Sequence, residues 1–260
     1  MPKRAARSKS VEHEEYLGGV LGECAEVRPQ RLSNWRFYFE ALPLYARNLG
    51  VILFPLIAAA VAYGIGRLGE WFSAPSGFAL NSIFLYVALI VEGYGFALSV
   101  IFADQAWRHG RANLGAAWDQ GKRKAGDIVI TIIGFFFLVW VAGIIGTILP
   151  IPYLSLILQV AAVWAFLYAI PATAIGGIPA GGAFSASLQA ARRHPLATAI
   201  LAIVSYGVWI GLTGYALGAI SPYASDAAYA VAQVLLAAIA LGYIALIVAR
   251  QYADLAFRFW

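Results

Sequence analysis

The 260-residue sequence is 62% hydrophobic and only 12% charged, with a mean hydropathy of +0.75. A water-soluble domain carries about a quarter charged residues, so this composition excludes one and points to an integral membrane protein. The net charge of +5 does not argue for nucleic acid, because basic residues in a membrane protein report orientation and contact with anionic headgroups. The single cysteine, Cys24, excludes an intramolecular disulfide framework and a multi-cysteine metal site.

In chain order, residues 1–32 are charged and glycine-containing without a sustained period, and read as a largely irregular cytoplasmic tail with a short helix over Glu15–Val27. The start "MPKRAARSKS" is basic, but "VEHEEY" follows it instead of an apolar stretch, so no cleaved signal peptide is expected. Residues 33–260 read as one all-α membrane domain. Each spanning helix needs about 20 apolar residues, and six such runs are found, near 46–66, 79–102, 128–149, 153–175, 196–220 and 227–249. Short connections at 150–152 and 221–226 make tight hairpins, and Pro171 is expected to kink the fourth span.

Eight Lys and Arg residues precede the first span, five lie in 103–127, two in 176–195 and two after the sixth span, while only Arg67 falls on the other side. The positive-inside rule then places both termini in the cytoplasm, which requires an even number of spans, in a multi-pass protein of the cell (inner) membrane. Trp71 near the outer boundary, and Trp35, Trp107, Trp118 and Trp260 near the inner one, are expected to form interfacial belts.

The chain also repeats. "EALPLYARNLGVILF" (40–54), "AAWDQGKRKAGDIVI" (116–130) and "SASLQAARRHPLATAI" (185–200) are each a short helix-like stretch ending in a basic cluster and followed by a span. Arg47, Arg123 and Arg193 recur at intervals of 76 and 70. The preceding stretches carry apolar faces at helical spacing: Trp35, Tyr38, Leu42 and Tyr45, then Trp107, Leu114 and Trp118, then Phe184, Leu188 and Ala191. Such helices lie flat in the headgroup layer. The reading is three parallel copies of one unit, an interfacial amphipathic helix plus a transmembrane hairpin.

On "FEALPLYARNLGVIL", "LGAAWDQGKRKAGDIVI" and "FSASLQAARRHPLATAI", over roughly 35–250, the sequence resembles the six-helix membrane domain attached to some bacterial glycerophosphodiester phosphodiesterases and its stand-alone relatives. The resemblance implies a fold and a membrane setting rather than an activity. It carries no functional residues over.

Catalytic patterns are weak. His13, His109 and His194 fall in the tail or in loops, no "GxSxG" occurs, and Asp104 with His109 lacks partners for a metal site. "GIGRLG" (64–69) has dinucleotide-binding spacing but ends a membrane helix instead of joining a strand to a helix. Its glycines are expected to let the chain leave the membrane at a turn. No cofactor and no metal are expected.

Two features remain. Gly207, Gly211, Gly214 and Gly218 fall on one face of the fifth span, suited to close packing against another helix of this chain or of a partner subunit. Glu92 in "LIVEGYGFAL" lies near mid-membrane, where a charge costs at least about 2.5–3.5 kcal/mol. It must face the bundle interior and stay neutral unless paired. Its candidate hydrogen-bonding partners are Gln159, Gln233, Tyr94, Tyr243 and Thr131. Arg47, Lys122, Arg123, Lys124, Arg192 and Arg193 are candidate contacts for lipid phosphates or act only as orientation signals. The expected function is a non-catalytic membrane module, an accessory or assembly subunit of a membrane complex or a lipid-interacting scaffold, alone or as a homo-oligomer. The alternative is a small-molecule transporter or channel with Glu92 as its polar or proton-coupled site.

Overall fold

The computed structural model describes residues 36–73, 78–148 and 151–256. The tail 1–32, its short helix, Trp35 and Trp260 lie outside the described residues. All regular structure among those residues is helical, and six helices are long and apolar enough to cross a membrane: Gly50–Phe72, Ser82–His109, Ala125–Ile148, Leu154–Ala174, Pro195–Tyr223 and Asp226–Leu255. The chain is a multi-pass, all-α membrane protein.

Three short helices punctuate the long ones. Helix α1 (Arg36–Arg47) precedes α2 (Gly50–Ser73) and α3 (Phe78–His109). Helix α4 (Leu114–Arg123) precedes α5 (Ala125–Ile148) and the fourth span, split into α6 (Leu154–Phe166) and α7 (Ala169–Ala174). Helix α8 (Ala180–Arg193) precedes the fifth span, made of α9 (Pro195–Trp209), a π-helical stretch Ile210–Ala216 and α10 (Leu217–Ile220). Helix α11 (Asp226–Ala256) is the sixth span.

At the junction from each short helix to the following span one residue bonds in both directions, through turns of three or four residues. The amide of Asn48, Lys124 or His194 closes the short helix onto Tyr45, Gly121 or Ala190, at 3.0–3.1 Å. The carbonyl of the same residue then accepts the first bond of the span, from Val51, Ile128 or Thr198, at 2.9–3.0 Å. Seven positions before 48, 124 and 194 stand Ala41, Ala117 and Ser187, each fully buried. A small side chain at that point lets a flat-lying helix settle onto the bundle.

The helices run further than the apolar windows suggest. Helix α3 continues to His109 and α11 to Ala256, because the last turns satisfy their own backbone and carry i,i+4 ion pairs, Arg108–Asp104 and Arg250–Asp254. Trp107 is therefore part of the second span, not of a separate amphipathic stretch. The expected turn at Gly64 and Gly66 is also absent: α2 runs through both, and Arg67 pairs with Glu70 at 2.8 Å. In an apolar setting the chain has no water to take over broken backbone bonds, so glycine's intrinsic helix penalty does not end the helix.

The fourth span does break where Pro171 requires it. Proline has no amide to bond the carbonyl four residues earlier, at Leu167, and α6 stops at Phe166. The exposed backbone is repaired by Ser187 of α8, whose Oγ accepts from the Tyr168 amide at 3.0 Å and donates to the Ala165 carbonyl at 2.9 Å.

Helices α2, α3 and α11 pack together, α5 pairs with α6, and the fifth span rests on α11. Close crossings use small residues. A Cβ at Gly95 would strike Ala58 of α2, and one at Gly146 would strike the Ser155 backbone of α6. The buried core, including Ile101, Ile128, Ile132, Leu201 and Leu246, sits toward the end of the bundle that carries the short helices.

The glycines of the fifth span do not pack against another helix of this chain among the described residues. A Cβ at Gly207, Gly211 or Gly218 meets nothing within 4 Å, and one at Gly214 meets only Ile210 of the same helix. The π-helical stretch changes the period between Gly207 and Gly218, so an i, i+4, i+7, i+11 spacing no longer marks one straight face. Gly146→Ala is therefore expected to destabilise the protein by about 1–3 kcal/mol through overpacking, while Gly207→Ala leaves the monomer unchanged or slightly more stable. Thermal unfolding in detergent checks both, and equal losses would mean that the Gly207 face is packed.

Candidate functional site

Glu92 is half-buried on α3. On one side of it, at 3.6 residues per turn, Gly95 about 60° round the helix meets α2, and Ser99, only about 20° round, donates to the Val51 carbonyl of α2 at 2.8 Å. About 60° round the other way, Trp107 donates through Nε1 to the Leu246 carbonyl of α11 at 2.9 Å. The carboxyl thus lies half-buried on α3, beside the residues that face α2.

None of its expected partners reaches it. Gln159 bonds Ser155 across the start of α6, where it also packs against Gly143. Thr131 bonds the Asp127 carbonyl and Thr173, Tyr243 donates to the Tyr38 carbonyl, and Gln233 is exposed. The Tyr94 hydroxyl lies beside Gly121 of α4. Among the described residues no hydrogen bond or ion pair reaches Glu92.

The polar groups that do converge lie at the short-helix end. Asn48, 6% exposed, donates to the carbonyls of Leu44 and Gly110 and accepts from the Ala112 amide, tying the α1–α2 junction to the loop after the second span. Gly110 turns that loop with a φ of +74°, a conformation glycine adopts without strain. Lys124, at the α4–α5 junction, reaches the Ala174 carbonyl at 3.0 Å, and Gln120 bonds the same carbonyl. Asn48 thus clamps the end of the second span, and Lys124 the end of the fourth.

Around these clamps runs a buried polar collar. The Tyr38 hydroxyl donates to Gln251 Oε1 at 3.3 Å, Tyr45 donates to the Ile239 carbonyl, and Tyr168 donates to Thr198. Burial, with the nearby Tyr243, pushes the Tyr38 hydroxyl up to about 12. Its neutral hydroxyl donates to Gln251 and links α1 to α11. Gln251 Nε2 and Ser205 Oγ are buried without a hydrogen-bond partner. Among the described residues no group of three His, Cys, Asp or Glu side chains can hold a metal ion.

The basic residues divide. Arg47, Lys122, Arg123, Arg192 and Arg193 are exposed at the ends of the short helices. Lys122 pairs with Asp119 at 2.9 Å and lies 5.9 Å over the exposed Trp118 ring, and its ammonium holds the Asp119 carboxyl below its ordinary value. Lys124 is the exception. It is turned inward onto Ala174 and is not a headgroup contact, and burial pulls its ammonium down against the opposing charge of Asp104.

Asn48, Gln251 and Ser187 carry no signal of their own in the sequence, and Tyr38 stood out only as part of an apolar face. The available signal was the position after each recurring arginine, where Asn48, Lys124 and His194 stand. No protein-family model, curated protein or solved structure matches the chain.

Two outcomes are expected. Ser187→Ala leaves the Tyr168 amide and the Ala165 carbonyl without partners, at a cost of about 1–3 kcal/mol, read by thermal unfolding; an unchanged midpoint would mean the break at Pro171 is otherwise satisfied. Because the folded state lowers the Lys124 value below the unfolded 10.5, the unfolded chain binds more protons between the two values. Stability should rise with pH across that window, and Lys124→Met should flatten the rise.

Proposed function

We propose that this chain is a non-catalytic membrane module that serves as an accessory or assembly scaffold, seated in the inner membrane on three interfacial helices with both termini cytoplasmic. The observation that carries this reading is the division of α1 into three sectors. Phe37, Tyr38 and Ala41 face the bundle and are buried. Phe39 and Leu42, 68% and 53% exposed, form an outward apolar sector with Pro43 and Ala46. Arg36, Glu40 and Arg47 make a charged sector beside it. A helix at the boundary of acyl chains and headgroups needs this arrangement: protein on one side, hydrocarbon on the second, phosphates on the third. The exposed basic ends of α4 and α8 extend the charged belt toward anionic headgroups.

The shared junction bonding and the buried small residue seven positions before it support descent from one triplicated unit, in line with the resemblance to six-helix membrane domains of phosphodiesterases. Exposed apolar surface elsewhere, on Trp71, Ile203 and Tyr215, contacts lipid or a partner subunit. The second reading, transport with Glu92 as its polar site, is favoured by the absence of a bonding partner for that carboxyl among the described residues.

Two measurements test this. With Cys24 replaced by serine and a fluorescent label on a single cysteine, nitroxide-bearing lipids should quench position 39 strongly and position 40 weakly; equal quenching would remove the interfacial placement of α1. Glu92→Gln keeps a hydrogen-bonding group and loses the titratable proton. A scaffold is expected to keep its stability and its co-purifying partners after gentle extraction, whereas loss of proton-coupled uptake in proteoliposomes would promote the transport reading.

A further inference from the structure

The last turns of α3 and α11 run side by side at the short-helix end and leave a cleft of about 130 Å³ between them. Among the described residues its walls carry two cations and two anions. Arg108 pairs with Asp104 at 2.9 Å on α3, and Arg250 pairs with Asp254 at 3.4 Å on α11. The Arg250 guanidinium lies 5.3 Å over the ring of Trp107, which is itself fixed by its bond to Leu246. Ala249 and Ala253 line the cleft from α11, and their small side chains leave the space open.

Both arginines and Asp254 are 42–50% exposed. The Arg250–Asp254 pair at such exposure contributes little, about 0–1 kcal/mol, so a ligand that supplies its own charges displaces it at small cost, while Arg108 keeps Asp104, which is 13% exposed. A guanidinium offers a planar fork that suits a phosphate, and a carboxylate beside an aromatic face suits an ammonium. The balance of charge argues against a purely anionic ligand. The volume is well below the roughly 300–1,000 Å³ of a drug-sized site, and admits a headgroup-sized fragment.

We propose that this cleft binds the headgroup of a zwitterionic phospholipid, one carrying a phosphodiester and a primary ammonium, with Arg108 and Arg250 on the phosphate and Asp254 and Trp107 on the ammonium. The cleft lies where the second and sixth spans end, so it meets lipid rather than a free solute. The inference rests on the membrane placement of the short-helix end.

The test uses the full chain purified in detergent, native mass spectrometry, and mixed micelles of phosphatidylethanolamine or phosphatidylglycerol. One phosphatidylethanolamine should be retained per chain at least about tenfold more strongly than phosphatidylglycerol, and should survive excess soluble phosphoethanolamine. Arg250→Gln should abolish retention through charge, and Ala253→Leu through volume alone, both with unchanged elution in size exclusion. Asp254→Asn should erase the preference between the two lipids. Equal retention of both lipids, displacement by the soluble zwitterion, or full retention in Ala253→Leu would overturn the proposal. These outcomes are separable from failure of the interfacial placement, which is read by lipid quenching on α1.

Discussion

In hydrocarbon every backbone amide and carbonyl must find its partner inside the protein, since no water is present to take its place. The remaining features of this fold follow from where that rule is strained. The chain departs from continuous helix at few points along its spans, and at the clearest of them a side chain from another helix meets the orphaned groups. Ser187 serves the break before Pro171 with a single oxygen that both accepts and donates. Asn48 serves three backbone groups at the first junction. Because each repair comes from a short helix or its junction, the short helices are mechanical parts of the bundle as well as candidate contacts with lipid.

That arrangement explains why the core lies toward one end. Long apolar helices gain little from burying one another in lipid, whose chains are as apolar as leucine. Specific contact must come from close packing of small residues and from polar groups with no other partner. Both are found near the short helices, in Ala41, Ala117 and Ser187 and in the collar from Tyr38 to Thr198, and again at the α5–α6 hairpin, where Gly146 meets the Ser155 backbone. Away from that end the helices expose large apolar side chains such as Trp71, Tyr215 and Tyr223.

The sequence carried much of the architecture, because hydrophobic length is a strong and local signal. Six spans, an all-helical fold and the break set by Pro171 were all legible. Span ends were not, since polar last turns such as Ala103–His109 continue a helix beyond the apolar window. The glycine spacing on the fifth span was legible as spacing only. Whether glycines meet another helix depends on rotation about the axis, and a π-helical stretch resets that rotation without leaving a composition signal. The same limit applied to Lys124, which reads as one more basic residue beside Arg123 yet points inward. Its direction is fixed by the helix break it occupies, and that break appears only in three dimensions.

Glu92 tests the logic of the fold most severely. The collar joins helices through hydrogen bonds between named partners, although Gln251 Nε2 and Ser205 Oγ find none among the described residues. A carboxyl placed solely to join helices would be expected to make such a bond, yet Glu92 makes none among the described residues. Its neighbours on the α2 side, Gly95 and Ser99, are already committed to close contact and to the Val51 carbonyl. The helices around it are therefore held without its help, which weakens a purely structural role for this residue even while the scaffold reading of the whole protein stands on α1. An acid that the packing does not use, kept at a depth where it is costly, is the one element of the bundle whose presence the fold alone does not account for.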